Sequence, residues 1–81
     1  MAFAVEVIKV IEEADWAYYN YRSARRNVRF GQLKIAKSNG DVFLIENAES
    51  DESGAQAKRA GWRLMQHWKK GEYPDKTYWE S

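Results

Sequence analysis

Residues Val28–Asn47 read VRFGQLKIAKSNGDVFLIEN. Two apolar-rich runs meet at Asn39-Gly40. Asn-Gly is the strongest short-range hairpin signal, because a type I′ turn needs positive φ at both central residues. With Asn39 and Gly40 as the loop, Ser38 faces Asp41, Lys37 meets Val42, Ala36 meets Phe43, Ile35 meets Leu44 and Lys34 meets Ile45. Directly opposed residues share a face. One face then carries Leu33, Ile35, Val42 and Leu44, and is assigned to the core. The other carries Gln32, Lys34, Ala36, Phe43 and Ile45. A bulge at Gly31 is expected to turn both Phe30 and Leu33 inward. A lone hairpin is unstable in water, so the flanking segments must cover it.

Upstream, residues 2–26 contain neither Gly nor Pro. Phe3, Val7, Val10, Ile11, Ala14, Ala17, Tyr18 and Tyr21 recur at helical spacing, which predicts one long helix. The competing reading rests on Val5, Val7, Ile8, Val10 and Ile11. These β-branched side chains favour extended chain, and residues 3–12 as a strand, followed by a shorter helix or second strand from Asp15, would give a three-stranded or larger antiparallel sheet with helices on one face. Downstream, residues 48–54 form a polar connection in which Ser50, Asp51 or Ser53 caps a second helix. Ser53 with Gln56 matches a capping box. That helix runs to about Lys70, with Ala57, Ala60, Gly61, Leu64, Met65 and Trp68 as its apolar stripe and Gly71 as its stop. The expected fold class is α+β, in the order helix, hairpin, helix, followed by an aromatic tail at residues 72–81 that folds back or binds.

Eighty-one residues make one domain, 1–81. The chain is 44% hydrophobic and 31% charged, a globular balance. It holds no cysteine, which removes disulfide scaffolds and thiolate metal sites. No stretch reads as a signal peptide or a membrane span, so a cytoplasmic protein without membrane attachment is expected. Net charge is +1, yet the charges are segregated. Between Trp16 and Gly40 lie six cations and no acid, and from Asp41 to Glu52 five acids and no cation.

Catalytic constellations are scarce. His67 is the sole histidine, and no nucleophile motif surrounds any serine or threonine. One histidine does not make a zinc site, the acids of 41–52 lack calcium-loop spacing, and the glycines are scattered. The chain is therefore expected to be no enzyme and to carry no cofactor or metal. Two binding constellations remain. The first is aromatic and apolar: Phe43 and Ile45 on the mixed hairpin face, with Tyr73, Tyr78 and Trp79 in the tail. These residue types are enriched at protein interfaces. They suggest a protein-binding module, an adaptor, inhibitor or accessory subunit, whose partner is another protein or a second copy. The alternative is nucleic-acid binding by interleaved rings and cations, namely Tyr19, Arg22, Arg25, Arg26, Arg29, Lys34 and Lys37.

Overall fold

The computed structural model describes residues 4–80. The long N-terminal helix expected over residues 2–26 does not form. Its place is taken by two strands, β1 (Ala4–Glu12) and β2 (Trp16–Ser23). They pair antiparallel, and the turn between them closes with Glu13 N donating to Trp16 O at 2.7 Å. Strand β3 (Gly31–Ala36) and β4 (Val42–Glu46) follow, then helix α1 (Ala55–Lys69) and strand β5 (Lys76–Glu80). The sheet has five antiparallel strands in the order β4-β3-β2-β1-β5. The fold is thus mostly β, with one helix among the described residues, and not helix-hairpin-helix. The competing strand reading of residues 3–12 matches β1, but it has no β5 and expects more than one helix. Phe3, assigned to the apolar stripe, lies outside the described residues.

Alternation explains the strands. Val5, Val7, Ala17, Tyr19, Tyr21, Leu33 and Ile35 are buried on the face under α1. The residues between them point the other way, as period-2 geometry requires. Each helical turn then sets a small residue against this face. Ala57, Ala60, Gly61 and Leu64 are buried, and a Cβ on Gly61 would meet Val42 Cγ1 at 3.2 Å. The close approach of α1 to β4 depends on that missing atom.

The hairpin register differs from the one expected. Ile35 pairs with Val42, Lys34 with Phe43 and Leu33 with Leu44. The loop therefore spans residues 37–40, closed by Ala36 N to Asp41 O at 2.9 Å, with Gly40 at φ 78°. From Leu33 to Ile35 partners move by two positions, an even number, so these residues keep their faces, but a bulge between Leu44 and Glu46 leaves Ile45 as the extra residue and sets Gln32 opposite Glu46. Trp68 enforces the longer loop: its Nε1 donates to Lys37 O at 2.9 Å, and its ring lies where a Gly40 Cβ would be, 2.7 Å away. Gly31 does not turn Phe30 inward. Phe30 lies under the Arg22 guanidinium, 4.1 Å from its ring centroid, and Arg22 pairs across the sheet with Glu6 on the face away from α1. Gly31 instead makes room for Tyr21, whose Cε1 would lie 2.5 Å from any Cβ there.

Asp51, and not a Ser53 capping box, closes the helix start. Its side chain is 2% exposed, and it accepts from Gln56 N at 2.9 Å, Ala57 N at 3.0 Å and the Tyr21 hydroxyl at 2.8 Å. The Tyr21 oxygen in turn accepts from Ala48 N at 3.0 Å. One carboxylate thereby joins β2, the 47–54 connection and α1. The tail is the edge strand β5, paired with β1 from Ala4↔Glu80 to Ile8↔Lys76.

Candidate functional site

Two surfaces are left after the core is filled. The first is the edge formed by β4. Its outer side faces no strand among the described residues. Phe43, Leu44 and Ile45 are three consecutive large apolar residues, exposed by 47%, 44% and 47%. A strand with one buried face would hide every second residue. This one hides neither set, since α1 ends its cover at Val42. No Lys or Pro guards the edge, and only the bulge at Ile45 and the terminal Glu46 interrupt it. Strand β5, the other edge, carries Lys76 and Glu80 at its ends.

Beside β4 lies an apolar groove of about 380 Å³. Leu33, Val42 and Leu44 form one wall, and Ala57, Trp62 and Met65 of α1 the other. Asp41 and Lys58 stand at its rim. Gly61 opens the groove, because a side chain there would fill the space beside Val42. The site thus combines a free backbone edge with a trough alongside it.

The second surface is the sheet face away from α1. Cross-strand pairing brings Phe43, Lys34, Tyr18 and Ile11 into one row. Trp16 lies beside them, its ring centroid 5.8 Å from that of Phe43. A bulge in β1 between Lys9 and Ile11 adds Val10 and turns Ile11 to this side. The same bulge sends Glu12 to the α1 side, where it meets Lys37 at 2.7 Å and Lys9 at 2.8 Å. Lys37 and then Lys9 hold the Glu12 carboxyl down at about 2. The next row is Glu46, Gln32, Asn20, Ile8 and Lys76, polar apart from Ile8.

The residues singled out in the sequence fall on different surfaces. Phe43, Ile45 and Tyr78 are exposed; Phe43 and Tyr78 lie on the uncovered side of the sheet, and Ile45 is the extra residue of the β4 bulge. Tyr73 and Trp79 instead pack against the core. Trp79 lies 5.7 Å from Trp62, and Tyr73 sits under Lys37 Nζ at 4.8 Å. In the cation cluster, Tyr19 is fully buried and its hydroxyl donates to Pro74 O at 2.9 Å, so it has no ring face to offer. Burial pushes its hydroxyl pKa up, as it does for Tyr21. Arg22 pairs with Glu6 at 2.8 Å, Arg29 with Glu46 at 2.7 Å and Lys37 with Glu12. Arg25 and Arg26 are exposed in the β2–β3 connection, and Lys34 lies 4.3 Å from the Trp16 centroid. Sequence reasoning assigned Tyr18, Leu44 and Met65 to the core and gave no role to Trp16 or Trp62, whereas Leu44, Met65 and Trp62 are exposed. The usable signal was the unbroken apolar run Val42–Ile45, which is longer than a half-buried strand needs.

His67 is not isolated. Its Nδ1 lies 3.0 Å from Glu72 Oε1, its Nε2 lies 2.9 Å from Thr77 Oγ1, and Arg63 Nε donates to that hydroxyl at 3.2 Å. The imidazole lowers the Glu72 pKa. The order acid, imidazole, hydroxyl is that of a nucleophile relay. Here Thr77 is buried under α1 and shared with Arg63, and the group ties the end of α1 to β5. Among the described residues no cluster of three or more His, Cys, Asp or Glu could hold a metal ion, and no helix is long and apolar enough to cross a membrane. Comparison of the chain with protein-family models, curated proteins and solved structures gives no match.

Proposed function

We propose that this chain is a protein-binding module, acting as an adaptor, inhibitor or accessory subunit, that accepts an extended segment of another polypeptide along β4. The observation that carries this reading is an edge strand with exposed apolar side chains on both faces, lying beside an apolar groove. Strand addition supplies backbone hydrogen bonds to the edge, and alternate side chains of the guest supply specificity. One set would enter the groove between Leu44 and Trp62. The other would lie against Phe43 and Ile45.

Charge favours a foreign guest over a second copy. Asp41 and Glu46 flank the exposed run, and Glu49 follows. Two copies paired antiparallel about Leu44 would crowd the acids of both chains at each end of the ladder, which is unfavourable. A guest with apolar residues flanked by lysine or arginine suits the same edge. The test is selection from a displayed random-peptide library, with counter-screening on Leu44→Lys. The expected result is enrichment of apolar segments with basic flanks that lose binding to the variant. Peptides that bind wild type and Leu44→Lys equally would refute the assignment.

A further inference from the structure

The uncovered sheet face is chemically unlike the β4 edge. Its rings come from β2, β4 and β5, and lysines lie among them. Lys34 Nζ sits 4.3 Å from the Trp16 centroid and 5.9 Å from that of Phe43. Across the sheet, Lys76 Nζ lies 5.4 Å from the Tyr78 centroid. Neither lysine has a carboxylate at ion-pair distance among the described residues, although Glu6 acts on Lys76 from further away, whereas Lys9, Lys37, Arg22 and Arg29 are all ion-paired. Asn20 and Gln32 pair directly across β2 and β3 beside the rings. Neither side-chain amide bonds another described residue. An amide offers two donors and an acceptor, so a bare pair on a sheet face is unspent hydrogen-bonding capacity.

We propose that this face is a stacking platform for single-stranded nucleic acid. Trp16 and Tyr18 are two residues apart on β2 and so about 7 Å apart along the strand. Unpaired bases stack on such rings irrespective of sequence, and Lys34 is placed to leave its ring for a phosphate. Asn20 and Gln32 meet base edges in the adjoining row. Arg25 and Arg26, exposed in the β2–β3 connection, extend the cationic track beyond the rim near Arg22. The face is not strongly basic, because Glu6 and Glu46 lie on it, paired with Arg22 and Arg29, and Glu13, Asp15 and Glu80 stand at its corners. Stacking therefore carries more of the binding than phosphate contacts do. With two or three phosphates neutralised, the logarithm of affinity falls with the logarithm of salt at a slope of about −1.4 to −2.1.

Fluorescence anisotropy of labelled oligouridylate, oligothymidylate and a DNA duplex with the full chain decides the matter. The expected result is binding of both single strands at low salt, weak duplex binding and a shallow salt slope. Trp16→Ala and Tyr18→Ala should each weaken single-strand binding roughly 5- to 150-fold, the range for loss of one stacked base. Lys34→Gln retains most of the stem and should reduce the slope by about 0.7. Trp62→Ala, on the opposite side of the molecule, should change nothing. Absence of binding at low salt overturns the proposal and leaves the face to a protein partner. Duplex binding as tight as single-strand binding overturns it too, because paired bases cannot stack on the rings. Retained affinity in Lys34→Gln and in a Tyr18→Ala variant with native circular dichroism would do the same.

Discussion

Replacing Asp51 by Ala should unfold this protein more readily than any surface change. The carboxylate is 2% exposed and accepts from two helix N–H groups and one phenol. Alanine removes the cap, a loss of about 0.5–2 kcal/mol. It also leaves the Tyr21 hydroxyl buried without its acceptor, and an unsatisfied buried group costs about 1–3 kcal/mol. These contributions overlap, so a net loss of about 3 kcal/mol is expected. For a domain of this size that lowers Tm by about 12–24 °C. Urea unfolding followed by tryptophan fluorescence measures the loss directly. Asp51→Asn keeps an acceptor oxygen and should lose less. A double-mutant cycle with Tyr21→Phe should show a coupling of at least about 0.5 kcal/mol. A loss under about 1 kcal/mol in Asp51→Ala, or no coupling to Tyr21, would refute the view that this carboxylate joins the helix to the sheet.

Further perturbations test the rest of the structure. Gly31→Ala forces a Cβ onto Ala48 N and the Tyr21 ring, and should destabilise by about 1–3 kcal/mol or more in thermal unfolding. Gly40→Ala adds a clash with Trp68 to an unfavourable φ, and should cost about 2 kcal/mol by the same measurement. The Glu12 carboxyl is held at about 2 by Lys37 and Lys9, against an ordinary value of 4.5. Its pKa is lowered on folding, so its contribution is complete above 4.5 and is lost as pH falls toward 2. Carboxyl NMR titration should place its midpoint near 2, and Lys37→Met should move that midpoint toward 4.5. Tyr19 and Tyr21 have hydroxyl pKa values raised by burial, so the sign reverses. Their contribution is present below pH 10 and is lost as pH rises beyond it, with tyrosinate absorbance and loss of structure appearing together.

The hairpin faces, the single-helix stripe after residue 54 and the stop at Gly71 could be read from the chain because each depends on local chemistry. Over the first two strands the chain reads as a helix with a strand only as the competitor, and the reason is physical. A strand is recognised by alternation, and alternation needs one polar face. Here Trp16, Tyr18, Ile8 and Ile11 fill the outward face while Tyr19, Tyr21, Val5 and Val7 fill the inward one. The bulge at Val10 adds one residue to β1, so Val7, Val10, Ile11 and Ala14 fall at helical spacing without forming a helix. The aromatic platform itself therefore hid the strands that carry it. The loop length was misjudged for another reason: Trp68, far along the chain, holds Lys37 O and stabilises a four-residue loop over the two-residue turn that Asn39-Gly40 favours. Trp79 was assigned to a surface because β5 lacks any turn signal linking it to its distant neighbour β1.

The strand order carries a consequence for how the molecule is made. β1 lies between β2 and β5, and its partners on the β5 side run from Lys76 opposite Ile8 to Glu80 opposite Ala4. On a translating ribosome the meander β1 to β4 emerges first and can pair at once. During that interval β1 is an open edge carrying Val5 and Val7, a ready template for aggregation. It is sealed only when residues 76–80 leave the exit tunnel, which makes the β1–β5 closure the contact of longest sequence separation and the slowest to find. A nascent chain stalled before Lys76 should be captured by chaperones, while one released past Glu80 should not.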